Sequence, residues 1–156
     1  MHDTVEAFVE EVERRHDVRP SVRTFEDGTK TAADAAAAIG CEVAQIASSI
    51  VMVADGAVVV VVTSGANRVD EDRIAAVRDA STVRMADPDE TREATGYGIG
   101  GVPPLAHERD LPVLFDQTLL GHETVWTAAG TPDAVWPVDP ERLLRLTDGR
   151  AVDAVG

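Results

Sequence analysis

The sequence has one cysteine, one lysine and no long hydrophobic run, and each scarcity excludes a class of protein. Because Cys41 stands alone, the chain can form no internal disulfide and no metal site built from several cysteines. The four histidines are too scattered to form a ligand pair, so we expect no metal and no cofactor. No window approaches the roughly 18 uninterrupted apolar residues of a membrane span, and residues 1–20 are acidic and amphipathic, unlike a secretion signal. We therefore expect a cytoplasmic protein without a membrane partner.

Positive charge is also scarce, because Lys30 is the single lysine and arginines supply the rest. Aspartate and glutamate total 28 against 14 lysines and arginines, which gives a formal net charge of -14. Non-specific nucleic-acid affinity comes from basic side chains that neutralise phosphates, so this balance argues against a general nucleic-acid binder, and we expect no DNA partner. Such a charge repels itself in dilute buffer, and at molar salt the screening length is only about 3 Å. We predict a halophilic protein adapted to a salt-rich cytoplasm, with ordinary solubility as the alternative.

The pattern of apolar residues predicts one α+β domain over residues 1–156, long enough to build a core. Ser49 to Val53 and Ala57 to Thr63 are joined by Asp55-Gly56, a strong hairpin signal. The second run is apolar without alternation, so it should be a central strand buried on both faces. Capping residues and periodicity predict a first helix that begins at Asp3 and includes Val5 to Val12, and further helices near 32–39, 70–80, 87–95 and 139–146. Further strands are predicted at 17–25, 82–85, 112–115, 124–128, 134–137 and 151–155.

The most distinctive stretch runs from Thr95 to His107, where four glycines within six residues are followed by two prolines. Glycine loses the most chain entropy on folding, so this composition indicates that the backbone approaches a ligand or another strand closely. A tight connection between two strands is the alternative. The loop lacks the Gly-Lys-Ser/Thr ending of a Walker motif, and Pro103-Pro104 opposes the helix that a dinucleotide fingerprint needs.

Five segments of the sequence resemble one protein family and occur in the same order as in that family. The segments are Thr31-Ala32-Ala33-Asp34-Ala35-Ala36 to Gly40, Ala44-Gln45-Ile46-Ala47-Ser48-Ser49-Ile50-Val51, Gly100-Gly101-Val102-Pro103-Pro104, Pro112-Val113-Leu114-Phe115-Asp116 and Ala128-Ala129-Gly130-Thr131. Together they resemble the YbaK and prolyl-tRNA-synthetase-associated domain family, whose members deacylate mischarged tRNA. The resemblance is clearest over 20–155. It implies a mixed, partly curled β-sheet surrounded by helices, with a pocket at the glycine loop.

One residue departs from the family pattern. The segment after Gln45-Ile46 usually carries a lysine that faces the substrate pocket, and Ser48 stands at that position here. A serine hydroxyl offers a neutral hydrogen bond but no positive charge. Arg68 or Arg73 could restore the charge from a neighbouring loop, with solvated surface arginines as the alternative.

The resemblance implies an aminoacyl-tRNA deacylase that hydrolyses, in trans, the ester of a small mischarged amino acid. We expect the N–H groups of Gly100 and Gly101 to hold the carbonyl oxygen, since glycine leaves the approach open. The nucleophile would be water or a group of the substrate, because no paired Ser-His-Asp or Cys-His arrangement is evident. Gly101→Val is expected to abolish activity while leaving the melting temperature nearly unchanged.

Other polar residues have two readings each. Asp116 could orient the terminal ribose or a water, or it could cap the turn that follows. Ser48 and Ser49 could contact the terminal nucleotide, or could be strand-edge hydroxyls bonded to backbone. His107 could act as an acid or base, or could be a loop residue. The predicted substrate-binding set is completed by Gly98, Ile99, Val102 and Pro103.

The expected partners are the aminoacylated tRNA 3′ end and an aminoacyl-tRNA synthetase. The main alternative is a non-catalytic module that binds an aminoacyl-tRNA, an amino-acid derivative or a synthetase after losing the pocket lysine. A third class is an unrelated small-molecule hydrolase. Cys41 is predicted to be a buried small hydrophobe, because nothing basic lies beside it in sequence.

Overall fold

A computed structural model describes residues 3–25 and 31–154 of the chain. Its helices are α1 (Asp3–His16), α2 (Ala32–Ile39), α3 (Glu71–Arg78), α4 (Pro88–Thr95) and α5 (Pro140–Thr147). Its strands are β1 (Arg23–Thr24), β2 (Ile46–Ala54), β3 (Ala57–Ser64), β4 (Val83–Met85), β5 (Val113–Asp116), β6 (Val125–Ala128), β7 (Ala134–Val138) and β8 (Arg150–Val152). None of the helices in these two ranges is long and apolar enough to cross a membrane.

The strands form one mixed sheet in the order β1-β7-β6-β2-β3-β5-β8, and β4 also pairs with β2. The pairs β2–β6, β3–β5 and β5–β8 are parallel, whereas β2–β3, β2–β4, β6–β7 and β1–β7 are antiparallel. Helices lie around this sheet, which confirms the predicted α+β architecture with a mixed sheet.

β3 is buried on both faces, as its unbroken run of valines predicts. Val59 and Val61 join a cluster with Ile74 of α3 on one face. Val60 and Val62 join the cluster that contains Phe8 of α1 on the other. Side chains of a strand alternate between its two faces, so a central strand between two helical layers needs apolar residues at every position.

The helix ends follow the predicted capping residues. Thr31 Oγ1 accepts a hydrogen bond from the Asp34 amide, and Gly40 closes α2 with φ of 88°. Asp87 and Glu90 form a capping box at the start of α4, and Gly96 ends it with φ of 85°. Such positive φ values cost glycine little, which is why both helices stop where they do. The predicted cap at Asp3 lies outside the described side chains.

Several strand boundaries differ from the prediction, and two of these differences have a clear cause. The strand expected over 17–25 is only two residues long, because only Arg23 and Thr24 pair with β7. β2 begins at Ile46 and not at Ser49, because Ile46 and Ala47 pair with β6. At both boundaries, hydrogen-bond pairing with a neighbouring strand outweighs the β-propensity of the local sequence. The added residues of β2 position the site described next.

Candidate functional site

The sheet opens along one edge of β2. The start of this strand pairs with β6 through Ile46 and Ala47, whereas its end pairs with β4 through residues 52–54. Within the described residues, no strand pairs with positions 48–50 on this edge. The Val51 carbonyl accepts a hydrogen bond from the Ala86 amide at 2.9 Å on the same side. Because backbone groups alternate in direction along a strand, the N–H and C=O of Ser49 point into this opening.

A cavity of about 280 Å³ occupies the opening. Its walls come from β2, the start of α2, β6 and β7, the glycine loop and the loop after β6. This volume lies close to the lower end of the roughly 300–1,000 Å³ range typical of small-molecule sites. The residues that line it are Thr31, Ala32, Ala35, Ile46, Ala47, Ser48, Ser49, Ile50, Val51, Met85, Ala86, Thr91, Ile99, Gly100, Val102, Trp126, Thr127, Ala128, Thr131, Pro132, Ala134 and Val135.

No charged side chain of residues 3–25 or 31–154 lines this cavity. Its polar side chains are all serines and threonines, and two of them are distinctive. Ser49 Oγ and Thr127 Oγ1 are buried, and neither has a hydrogen-bond partner within the described chain. Both lie on the same sheet face, because Thr127 pairs with Ala47 and Ser49 follows two residues later. Lys30 precedes the lining residue Thr31 but lies outside the described residues.

The glycine loop forms one wall, but only part of its backbone is free to bind. The Gly96 amide donates to the Arg92 carbonyl at 2.8 Å, and the Gly101 amide donates to the Gly98 carbonyl at 3.0 Å. Among the described residues, the N–H groups of Ile99 and Gly100 donate to no other group. Since both residues line the cavity, their amides are candidate main-chain donors at its edge, as is the amide of Val102, which also lines the cavity and donates to no other described group.

Gly101 serves packing. A Cβ at this position would lie 2.7 Å from both the Gly130 carbonyl oxygen and the Thr131 Cα, which are backbone atoms that cannot rotate away. The expectation that Gly101→Val leaves the melting temperature unchanged is therefore wrong, because any side chain here must displace the neighbouring loop. The close approach holds the glycine loop against the segment after β6, and so closes this wall of the cavity.

The mouth of the cavity is apolar. Met85 is 53% exposed and Ile99 is 58% exposed, and they are the two large hydrophobic residues of the described chain that are classed as exposed. Both line the cavity, as does the partly buried Trp126. In contrast, Ala47, Thr127 and Ala134 are at most 1% exposed and form the deep end.

Asp116 lies away from the cavity and caps the turn that follows β5. The fully buried carboxylate accepts hydrogen bonds from five groups, which are Thr63 Oγ1 (2.9 Å), the Ser64 amide (3.2 Å), Asn67 Nδ2 (2.9 Å), the Thr118 amide (3.0 Å) and Thr118 Oγ1 (2.8 Å). Burial raises the pKa of Asp116, but the hydrogen bonds outweigh it, so the pKa lies below its usual value. Both oxygens are engaged, and Asp116 does not line the cavity.

His107 is also placed elsewhere. It is buried, and its Nε2 donates to the Pro103 carbonyl at 2.7 Å. Burial lowers the pKa of His107, which keeps the ring neutral. The ring lines a second cavity of about 370 Å³ beside Arg15 and Leu146, and the Arg15 guanidinium donates to the His107 carbonyl. The hydrogen bond from the His107 imidazole to Pro103 therefore stabilises the end of the glycine loop.

The structure thus brings five of the ten predicted site residues to one cavity, and these are Ser48, Ser49, Ile99, Gly100 and Val102. It does not bring Gly98, Gly101, Pro103, His107 or Asp116 to the lining. Neither Arg68 nor Arg73 lines the cavity, and Arg73 instead pairs with Asp153 at 3.1 Å. Cys41 is only partly buried against the cluster at α2, and burial raises the pKa of its thiol.

Thr91, Thr127 and Met85 were missed by sequence reasoning. The only signal for Thr127 was a hydroxyl on the inward face of a predicted strand, a pattern that is usually satisfied by backbone. Within the described ranges, no group of three or more His, Cys, Asp or Glu side chains could hold a metal ion.

Comparisons with known proteins show the family to which this chain belongs. The model of the aminoacyl-tRNA editing domain matches residues 26–146. The uncharacterized protein YwhH of Bacillus subtilis is 31% identical over 123 residues, which are 78% of this chain and 78% of that protein. A proline–tRNA ligase of Acidithiobacillus ferrooxidans is 30% identical over 109 residues, which are 70% of this chain but only 19% of the ligase.

A solved structure extends the match to the whole chain. It is described as a candidate trans-editing enzyme for prolyl tRNA synthetase, is 36% identical, and superposes with a TM-score of 0.95. The match covers 100% of this chain and 99% of that one. The mixed sheet and the matched sequence lead to one conclusion: this chain belongs to the aminoacyl-tRNA editing domain family.

Proposed function

We propose that the protein is an aminoacyl-tRNA deacylase that acts in trans on the ester of a small mischarged amino acid. The observation that carries this proposal is a cavity that no charged side chain of the described residues lines, bordered by the amides of Ile99 and Gly100, which donate to no other described group, in a chain of the editing-domain family. Similarity to proline–tRNA ligases and to a candidate trans-editing enzyme supports a tRNA for proline as substrate and a prolyl-tRNA synthetase as partner.

In the proposed reaction, a water oxygen attacks the ester carbonyl carbon. The bond from that carbon to the ribose oxygen breaks, and the ribose oxygen takes a proton, which releases the free amino acid and the uncharged tRNA. Negative charge develops on the carbonyl oxygen before the bond breaks, and we propose that the amides of the lining residues Ile99 and Gly100 donate to it. Ser48 adds a neutral hydroxyl to the same wall, where the resemblance implies a lysine in relatives.

The shape of the cavity orients the substrate. Because tRNA is far larger than the cavity, the terminal ribose and base must stay at the mouth, against Met85 and Ile99. The amino acid then points inward to the deep end, where alanines leave little space. A hydrophobic pocket rejects larger side chains sterically, so the limited volume provides the selection for small amino acids.

Deacylation assays in molar KCl with tRNA charged with alanine, serine or proline test this proposal. We expect hydrolysis of a small mischarged ester above the uncatalysed rate, and slower hydrolysis of the larger prolyl ester. Absence of turnover with every substrate, for protein that is folded by circular dichroism, would refute a deacylase. Binding of the tRNA end without hydrolysis would instead support the non-catalytic module, which the lack of a charged lining residue favours as second candidate.

The variant Ser48→Lys sharpens the assay, because it restores a cation at the wall of the cavity. We expect faster deacylation, whereas the control Ser21→Lys adds the same charge at an exposed position away from the cavity and should change nothing. Deacylation by Ser48→Lys that the parent wholly lacks would favour an unrelated small-molecule hydrolase as the parent's function.

A further inference from the structure

The buried hydroxyls of Ser49 and Thr127 have no role in the reaction described above. They share two unusual features: both residues line the cavity, and their buried oxygens have no hydrogen-bond donor or acceptor within the described residues. Nearly all buried polar atoms in proteins have a hydrogen-bond partner, so two orphans on one wall indicate a partner that arrives with the ligand.

Within the described residues, neither the side chain of Ser49 nor its backbone has a hydrogen-bond partner on the cavity side. Its side chain is unpaired, and its N–H and C=O point into the opening between β6 and β4, where no described strand meets them. Thr127 is 1% exposed and lies beside it on the neighbouring strand. The two residues therefore offer one small ligand group several donors and acceptors from two strands.

The position of these groups identifies the part of the substrate that meets them. In an aminoacyl ester the side chain is the end farthest from the ribose, so it enters the cavity first. The deep end contains Ala47, Ala134 and Thr127, each at most 1% exposed, with Ser49 beside them. The α-ammonium is bonded to the carbon next to the ester and so stays nearer to the glycine loop.

We infer that the cavity prefers a small amino acid whose side chain carries a hydroxyl, with Ser49 and Thr127 as the residues that recognise it. This inference rests on the proposed function and narrows its substrate class. A side chain of equal size without the hydroxyl would leave both oxygens unpaired in the closed complex. Sites that bind a substrate hydroxyl reject analogues lacking it far more strongly than apolar pockets reject a missing methylene.

The test uses adenosine analogues in which an amide replaces the ester at the 3′ position, so that binding is measured without hydrolysis. The seryl and 2-aminobutyryl analogues differ by a hydroxyl in place of a methyl group and are nearly equal in size. Quenching or enhancement of Trp126 fluorescence reports binding, because Trp126 lines the cavity whereas Trp136 does not. We expect the seryl analogue to bind about tenfold more tightly or better.

The variants Ser49→Ala and Thr127→Val should each reduce this preference toward unity. Thr63→Val is the matched control, because it makes the same isosteric change at a buried threonine that bonds to Asp116 outside the cavity, and it should keep the preference. Equal or tighter binding of the 2-aminobutyryl analogue, or an unchanged preference in both cavity variants, would overturn the inference.

Hydrolysis assays on the corresponding tRNA esters separate the two proposals. A seryl preference in binding without any hydrolysis would overturn the deacylase and leave this inference standing. Hydrolysis of seryl and 2-aminobutyryl esters at equal efficiency would overturn this inference alone.

Discussion

Two buried polar regions of this molecule contain similar hydroxyl side chains but differ in hydrogen bonding: in one region the hydroxyls are paired, and in the other they are not. Around Asp116, two threonine hydroxyls, an asparagine amide and two backbone amides all meet a carboxylate at hydrogen-bond distance. On the cavity wall, Ser49 and Thr127 meet no partner within the described chain. The hydrogen bonds of the first region hold the ends of β3 and β5 together. The two residues of the second region are held by the strands β2 and β6 to which they belong.

The difference separates stability from binding. A hydrogen bond to a charged group contributes about 1.5–3 kcal/mol net, whereas a buried unpaired polar group costs about 1–3 kcal/mol. The Asp116 region therefore stabilises the fold, whereas the unpaired hydroxyls of the cavity wall reduce its stability in the free protein. Polar residues that cost stability in the free protein mark a site more reliably than polar residues that contribute to it.

Replacing the carboxylate gives the largest expected effect. Asp116→Ala leaves four donor residues without their acceptor, so we expect the free energy of unfolding to fall by about 3 kcal/mol or more, as measured by urea denaturation. The control Asp110→Ala removes an exposed carboxylate, and its effect should stay within about 0.5 kcal/mol. A fall as small as that of the control would show that the two regions do not differ in stability.

Acid extends the same comparison. The pKa of Asp116 is lower in the folded chain than in the unfolded chain, so its contribution is fully present above the unfolded pKa of about 3.9. That contribution is lost as the pH falls through the folded pKa. Wild-type protein should therefore lose more stability than Asp116→Ala as the pH falls below about 4.

A matched pair of threonine variants gives an intermediate effect of opposite sign. Thr63→Val removes a donor from Asp116 and should cost about 1–2 kcal/mol, whereas Thr127→Val removes an unpaired hydroxyl and should leave stability unchanged or raise it by up to about 1 kcal/mol. Both threonines are at most 4% exposed, so burial does not distinguish them. Equal losses of melting temperature would show that Thr127 is satisfied in the free protein.

Salt should distinguish the two regions least. We propose that screening of the net charge of -14 raises the melting temperature between low and molar KCl. Because Asp116 is buried and hydrogen-bonded, the rise should be the same in wild type and Asp116→Ala. A flat or falling melting temperature in both proteins would overturn adaptation to high salt.

Much of the fold was predictable because its determinants are local. The Asp55-Gly56 hairpin, the valines of β3 and the caps at Thr31 and Asp87 each act within a few residues. The start of β2 was not predictable in this way, because Ile46 and Ala47 become strand residues only by pairing with β6, about 80 residues later in the chain.

The candidate site was predictable only in part for the same reason. The glycine and proline content predicts the loop, but it does not predict which backbone amides stay unpaired. That depends on turns such as the one in which the Gly101 amide donates to the Gly98 carbonyl. Whether a buried threonine is paired depends on the residue opposite it, and Thr63 and Thr127 look alike in sequence. Asp116 had two readings of equal merit, and its five bonds show the capping role.

The length of the opening between β6 and β4 depends on where the two strands stop pairing with β2. Three positions of β2, 48–50, lie between Ala47, which pairs with β6, and Val51, whose carbonyl accepts from the Ala86 amide; a strand advances about 3.3 Å per residue, so the aperture is roughly 10 Å long. Ending the pairing of either flanking strand one residue earlier or later, without a shift of register, would widen or narrow that aperture by about a third. Substrate size can thus be retuned by the length of a connecting segment, while every side chain on the wall stays the same.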